Sequence, residues 1–111
     1  MNENPILTHE RLRRVPSRFS WVDHRLVRMN YLQRAPGHAW GLYLTLVTVG
    51  DKNGVSYYSD RTLARLLGVD HESLVKLRGH LLAADVIAYR EPYYQVLELE
   101  GSLATTERRA S

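Results

Sequence analysis

The chain has 111 residues, enough for one domain, and its 44% hydrophobic and 24% charged residues exclude a fully disordered protein. Its longest apolar stretch, Ala39 to Val49, is about half the ~20 residues that span a bilayer, and the absence of cysteine removes disulfides, thiolate catalysis and Cys-ligated zinc. Seven Arg stand against three acids up to Gly37, and eight basic residues against nine acids from His38 on, so the net charge of +3 is concentrated at the front. No apolar signal core follows Met1, and the cysteine-free composition suits a reducing, cytoplasmic setting.

Residues 1–17 read as a polar, basic arm with Pro5, Pro16 and one helical turn over 8–14. The segment 18–23 alternates and is expected to form a short strand. Asp23 then N-caps a helix over 24–33, with Leu26, Val27, Tyr31 and Leu32 at helical spacing. Pro36 opens the next helix, 39–49, which is apolar nearly all round and is therefore central. Gly50 ends it before a turn at 51–54. Val55 to Tyr58 is β-prone, with Tyr57 and Tyr58 assigned to strand packing.

Ser59 caps a helix over 60–67 that carries Leu63, Leu66 and Leu67 on one side and stops at Gly68. Asp70 caps a third helix to about Ala84. Its buried stripe is Leu74, Leu77, Leu81 and Ala84, with Leu82 beside it, and its outer face is Glu72, Ser73, Lys76, Gly79, His80 and Ala83. Strands follow at 86–90 and 93–99 around a turn at Glu91-Pro92, and 101–111 reads as a flexible tail. The expected class is α+β, mainly α: a three-helix core, a short strand and a C-terminal β-hairpin, over residues 18–100.

Two short helices joined by Gly68-Val69-Asp70 match a helix-turn-helix, and the hairpin after them makes a wing. Ser59 to Asp70 resembles the first half of a bacterial winged helix-turn-helix. His71 to Arg78 sits where such proteins carry the recognition helix, and Ala83-Ala84-Asp85-Val86-Ile87 resembles their usual exit into the wing. Asp85 departs from that pattern, where Gly is common, but Asp tolerates left-handed angles better than most residues. The Tyr43-Leu44-Thr45-Leu46 helix and the Phe19-Ser20-Trp21-Val22 segment are similar to those of replication-initiator and primosome-type winged helices. The resemblance spans roughly residues 19–99 and implies double-stranded DNA binding in transcription regulation or in replication of a mobile element.

A helix of this length fits a major groove about 12 Å wide. On that reading His71, Glu72, Ser73, Val75, Lys76 and His80 meet the DNA, with Glu72 on a cytosine amino group, Lys76 on guanine or phosphate, and Val75 on a thymine methyl. Ser59 and Arg61 stand at a helix start that favours phosphate. Arg90 and the wing tyrosines Tyr89, Tyr93 and Tyr94 touch the backbone or minor groove. Arg11, Arg13, Arg14 and Arg18 form a phosphate-contacting arm, a solvated terminus or a dimer contact. The preference for Arg over Lys reflects either bidentate phosphate contacts or codon usage. Glu72 is equally a dipole-stabilising residue of the first helical turn, and Arg78, within the apolar stripe, is expected to be structural and paired with an acid.

The segment 60–80 is nearly neutral, which keeps a second class open: a winged-helix module that docks a partner protein through 71–84 without touching DNA. Catalysis is not expected. Ser73-Leu74-Val75-Lys76 matches S-x-x-K without its companion motifs, no phosphate loop is present, and the five His are scattered, so no metal or cofactor is implied. The aromatics Phe19, Trp21, Tyr31 and Trp40 either cover the central helix or help residues 7–31 build a homodimer.

Overall fold

Two side-chain caps and one left-handed glycine set the centre of the molecule. Ser59 Oγ accepts the Thr62 N–H at 3.1 Å, and Asp70 Oδ1 accepts the Ser73 N–H at 2.7 Å. Each satisfies a backbone donor that a helix start leaves unpaired. Between them Gly68, at φ 72°, ends the first helix in a conformation that costs a glycine no Cβ clash. The turn between the helices is therefore three residues long, Gly68 to Asp70.

The computed structural model describes residues 4–99. In chain order the elements are α1 (Arg25–Arg28), α2 (Ala39–Val49), β1 (Val55–Tyr57), α3 (Asp60–Leu67), α4 (His71–Ala83), β2 (Ile87–Arg90) and β3 (Tyr93–Val96), with 3₁₀ turns at His9–Arg11 and Tyr31–Arg34. The strands form an antiparallel sheet in the order β1-β3-β2. Leu42 and Leu46 of α2, Leu63 of α3, Leu74 and Leu81 of α4, and Val86 and Tyr94 beside the sheet make the core, all buried. Each fully buried Leu stabilises the fold by about 1.5–3 kcal/mol. This small α+β arrangement is compatible with a winged helix.

Several expectations need correction. Residues 18–23 form no strand: they pair with no partner, and Phe19 and Trp21 are 66% and 76% exposed. The expected helix over 24–33 is broken at Asn30, whose φ of 61° lies in the left-handed region and cannot continue an α-helix. Leu26 and Tyr31 are buried on either side of the break, while Val27 and Leu32 are exposed. Asp23 does hold the start of α1, accepting the Arg25 N–H at 2.8 Å.

The central helix is open on one side, with Leu44 57% exposed. Gly50 ends that helix at φ −71°, so its value is space and not handedness: a Cβ there would come within 3.1 Å of the Leu46 carbonyl oxygen and 3.2 Å of Gly54. The returning strand stops at Val96, Leu77 is only half-buried, and Leu66 and Leu82, expected in or beside the apolar stripes of α3 and α4, are 55% and 41% exposed because they lie off the sides that pack inward. Asp85 takes the left-handed angle expected of it, at φ 64°. The expected flexible tail at 101–111 lies outside the described residues.

Candidate nucleic-acid interface

α4 packs on α2 and α3 with one face and leaves the other to solvent. His71, Glu72, Val75, Lys76, Gly79, His80 and Ala83 are all exposed. At 100° per residue they cover one continuous half of the helix surface, with Gly79 near its middle. A Cβ added at Gly79 would meet nothing within 4 Å. Ser73 is half-buried and sits at the edge of this face, its N–H engaged by Asp70.

Arg78 locks the helix at the edge of that face, next to His71. Its guanidinium donates to Asp60 Oδ1 at 2.6 Å and to Tyr94 Oη at 2.8 Å, and stacks over the Tyr89 ring at 4.3 Å. One side chain thus ties α4 to the start of α3 and to both strands of the hairpin, as the sequence suggested when it paired Arg78 with an acid. Burial alone would lower its pKa, but the hydrogen bonds to Asp60 and Tyr94 outweigh burial and hold it above the ordinary Arg value. For Asp60, burial pushes the carboxyl up, and the hydrogen bond and charge of Arg78, with those of His71, bring it below the ordinary value. His71 Nε2 lies 3.2 Å from Asp60 Oδ2, so the same carboxylate orients the first side chain of the exposed face.

The remaining expected contacts are accessible but less concentrated. Arg61, Arg90 and Tyr93 are exposed, as are Arg11, Arg13, Arg14 and Arg18 of the arm. Ser59 is exposed too, but its hydroxyl oxygen serves as the cap of α3. The other two wing tyrosines are not available as expected: Tyr94 is buried in the core and Tyr89 is half-buried, both engaged by Arg78, because they alternate onto the inner face of the sheet. Tyr57 was assigned to packing and is instead 67% exposed, its ring centroid 5.5 Å from that of Tyr93. Ser56 is the residue of β1 that points inward, a polar side chain where the sequence pattern favours an apolar one. That inversion of the usual alternation hid Tyr57.

A cleft of about 670 Å³ lies elsewhere, lined by Phe19, Trp21, Asp23, Tyr43, the turn at 50–54 and residues 96–99. No residue of α3 or α4 lines it. Among the described residues no group of three or more His, Asp and Glu is placed to hold a metal ion, and no helix is long and apolar enough to cross a membrane.

No family model matches this chain, and no curated protein is similar to it. A solved structure described as "Structure of Rep-DNA complex" is similar to it: 15% of residues are identical, the TM-score is 0.56, and the match covers 85% of each chain. The likeness is one of fold.

Proposed function

We propose that this chain is a winged helix-turn-helix protein that binds double-stranded DNA sequence-specifically, with α4 as its recognition helix in the major groove and the β2–β3 hairpin as a wing on the backbone. The observation that carries the reading is the exposed half of α4, with His71, Glu72, Lys76 and His80 on it, anchored along its edge by Arg78. A protein that reads base edges needs such a preorganised helix with one open face. His71, Glu72, Val75, Lys76 and His80 would meet bases, and Arg61, Arg90, Tyr93 and the arm would meet phosphates. The fold shared with the protein of a Rep-DNA complex supports a place in replication, with transcription control as the other setting. The protein acts in the cytoplasm by binding, without catalysis, cofactor or metal. Its N-terminal segment, with Leu7, Val15, Phe19 and Trp21 exposed, would contact a second copy in a homodimer.

A second reading is favoured by the exposed apolar side chains Leu66, Val75 and Leu82 on or beside α4: a module that docks a partner protein. Fluorescence anisotropy with random-sequence duplex DNA at two salt concentrations separates the two. Micromolar binding that weakens steeply with salt is expected. Absence of binding at low salt would sink the DNA reading in favour of protein docking.

A further inference from the structure

The sheet has two faces. Ser56, Tyr94 and Ile87 point inward to the helices and are buried. The other face carries two cross-strand rows, fixed by the register. Tyr57 pairs with Tyr93, and Tyr93 with Arg90; Val55 pairs with Gln95, and Gln95 with Ala88. Tyr57, Tyr93, Arg90, Gln95 and Ala88 are exposed and Val55 is half-buried. Two aromatic rings and a guanidinium therefore lie side by side on an open sheet surface, with an amide one row behind.

The energetics of this row are unusual for a solvated surface. Two large aromatic rings, 67% and 50% exposed, are held 5.5 Å apart and contribute little to the core. Residue Tyr94, between them and the core in sequence, is the one that fills the interior. An occupant with flat π surfaces and a negative charge beside them is complementary to the two rings and the Arg90 guanidinium. Unpaired nucleobases stack on tyrosine rings, the phosphate beside a stacked base meets Arg90, and Gln95 offers both donor and acceptor to a base edge. A stacked base pair in an intact duplex presents no free π face to the rings.

We infer that the outer face of the sheet is a binding site for single-stranded nucleic acid, built from Tyr57, Tyr93, Arg90 and Gln95; it shares Arg90 and Tyr93 with the proposed wing contact to duplex, so the two ligands compete there, and it is separate from the exposed face of α4. Stacking is tolerant of sequence, so oligo-dT serves as the probe.

The test is anisotropy titration of labelled oligo-dT and of labelled random duplex with the full-length chain and its variants, with circular dichroism confirming that each is folded. The full chain is expected to bind oligo-dT. The double variant Tyr57→Ala/Tyr93→Ala should lose at least tenfold in that affinity, whereas Tyr57→Phe/Tyr93→Phe, which keeps both rings, should stay within about twofold of the parent. Lys76→Ala, on α4, should weaken duplex binding and leave oligo-dT binding unchanged, so failure of the duplex reading and failure of this one are told apart. A folded chain that ignores oligo-dT, an alanine pair that binds it as well as the parent, or a phenylalanine pair that loses as much as the alanine pair each overturns the inference. So does a concentration-dependent self-association that the alanine pair abolishes in the absence of oligo-dT binding, which would assign the face to a second copy.

Discussion

Arg78 decides more of the geometry than any other polar side chain. Only 13% of its side chain is exposed, and its two hydrogen bonds and one ring contact reach three separate elements. Removing it leaves Asp60 and Tyr94 partly buried without their donor, which costs more than the lost attraction. Arg78→Ala is expected to destabilise the fold by about 2–4 kcal/mol, read as a lower midpoint in urea. The pairing also gives stability a pH dependence. Folding lowers the Asp60 pKa from its ordinary value, so the group contributes stability above that value and loses it as pH falls through the folded one. The stability difference between the parent and Asp60→Asn should be constant above about pH 5 and shrink below about pH 4. A difference that grows toward acid would contradict the ion pair. Lys76, by contrast, is exposed, and its charge acts on the fold only as a minor influence on Asp70, the exposed cap of α4. Lys76→Ala should leave the urea midpoint unchanged and weaken binding to a selected duplex site by about 1–3 kcal/mol if it reads a base.

At the scale of elements, legibility in the sequence tracks the range of the interaction. Ser59, Gly68 and Asp70 act within four residues, and the helices they bound lie where the sequence places them. The hairpin is legible for the same reason. Residues 18–23 and 24–33 are not, because their fate depends on distant partners: no strand is available to pair with the first, and Tyr31 turns inward only because Asn30 bends the second. The exposed face of α4 was legible from the spacing of its leucines, apart from Ser73, half-buried at its edge, and Leu82, which faces solvent rather than the buried stripe. The sheet's outer row was not, since two adjacent tyrosines do not say which of them points outward. Gly79 is a residue whose role belongs to the element. It sits mid-helix and exposed, with open space where a Cβ would go. Gly79→Ala should therefore raise helix stability by about 0.5–1 kcal/mol in thermal or urea unfolding. A duplex that approaches closely at this point would bind the alanine variant more weakly, and unchanged affinity would place the contact nearer the start of α4.

The molecule as a whole is more extended than its length requires. Its radius of gyration is 16.5 Å, against about 13 Å for a compact chain of this size. Residues 4–22 are all exposed: this segment carries Arg11, Arg13, Arg14 and Arg18 alongside Leu7, Leu12, Val15 and Trp21, and contributes no residue to the core. An arm of that composition has two ways to gain free energy, phosphate contact through its arginines or apolar contact with another copy, and they differ in what they do to salt dependence. Each phosphate neutralised contributes about −0.9 to the slope of log affinity against log salt. Deleting residues 1–17 removes three of the four arginines, so it should weaken binding to all duplexes alike and flatten that slope by up to about three. Light scattering on the full chain and on the chain starting at Arg18 reads the other route. A dimer that becomes a monomer on truncation, with the slope per protomer unchanged, would assign the arm to subunit contact; an unchanged mass with a flatter slope would assign it to DNA. If truncation alters neither, the basic front is idle in both roles, and duplex affinity must come from α4 and the wing alone.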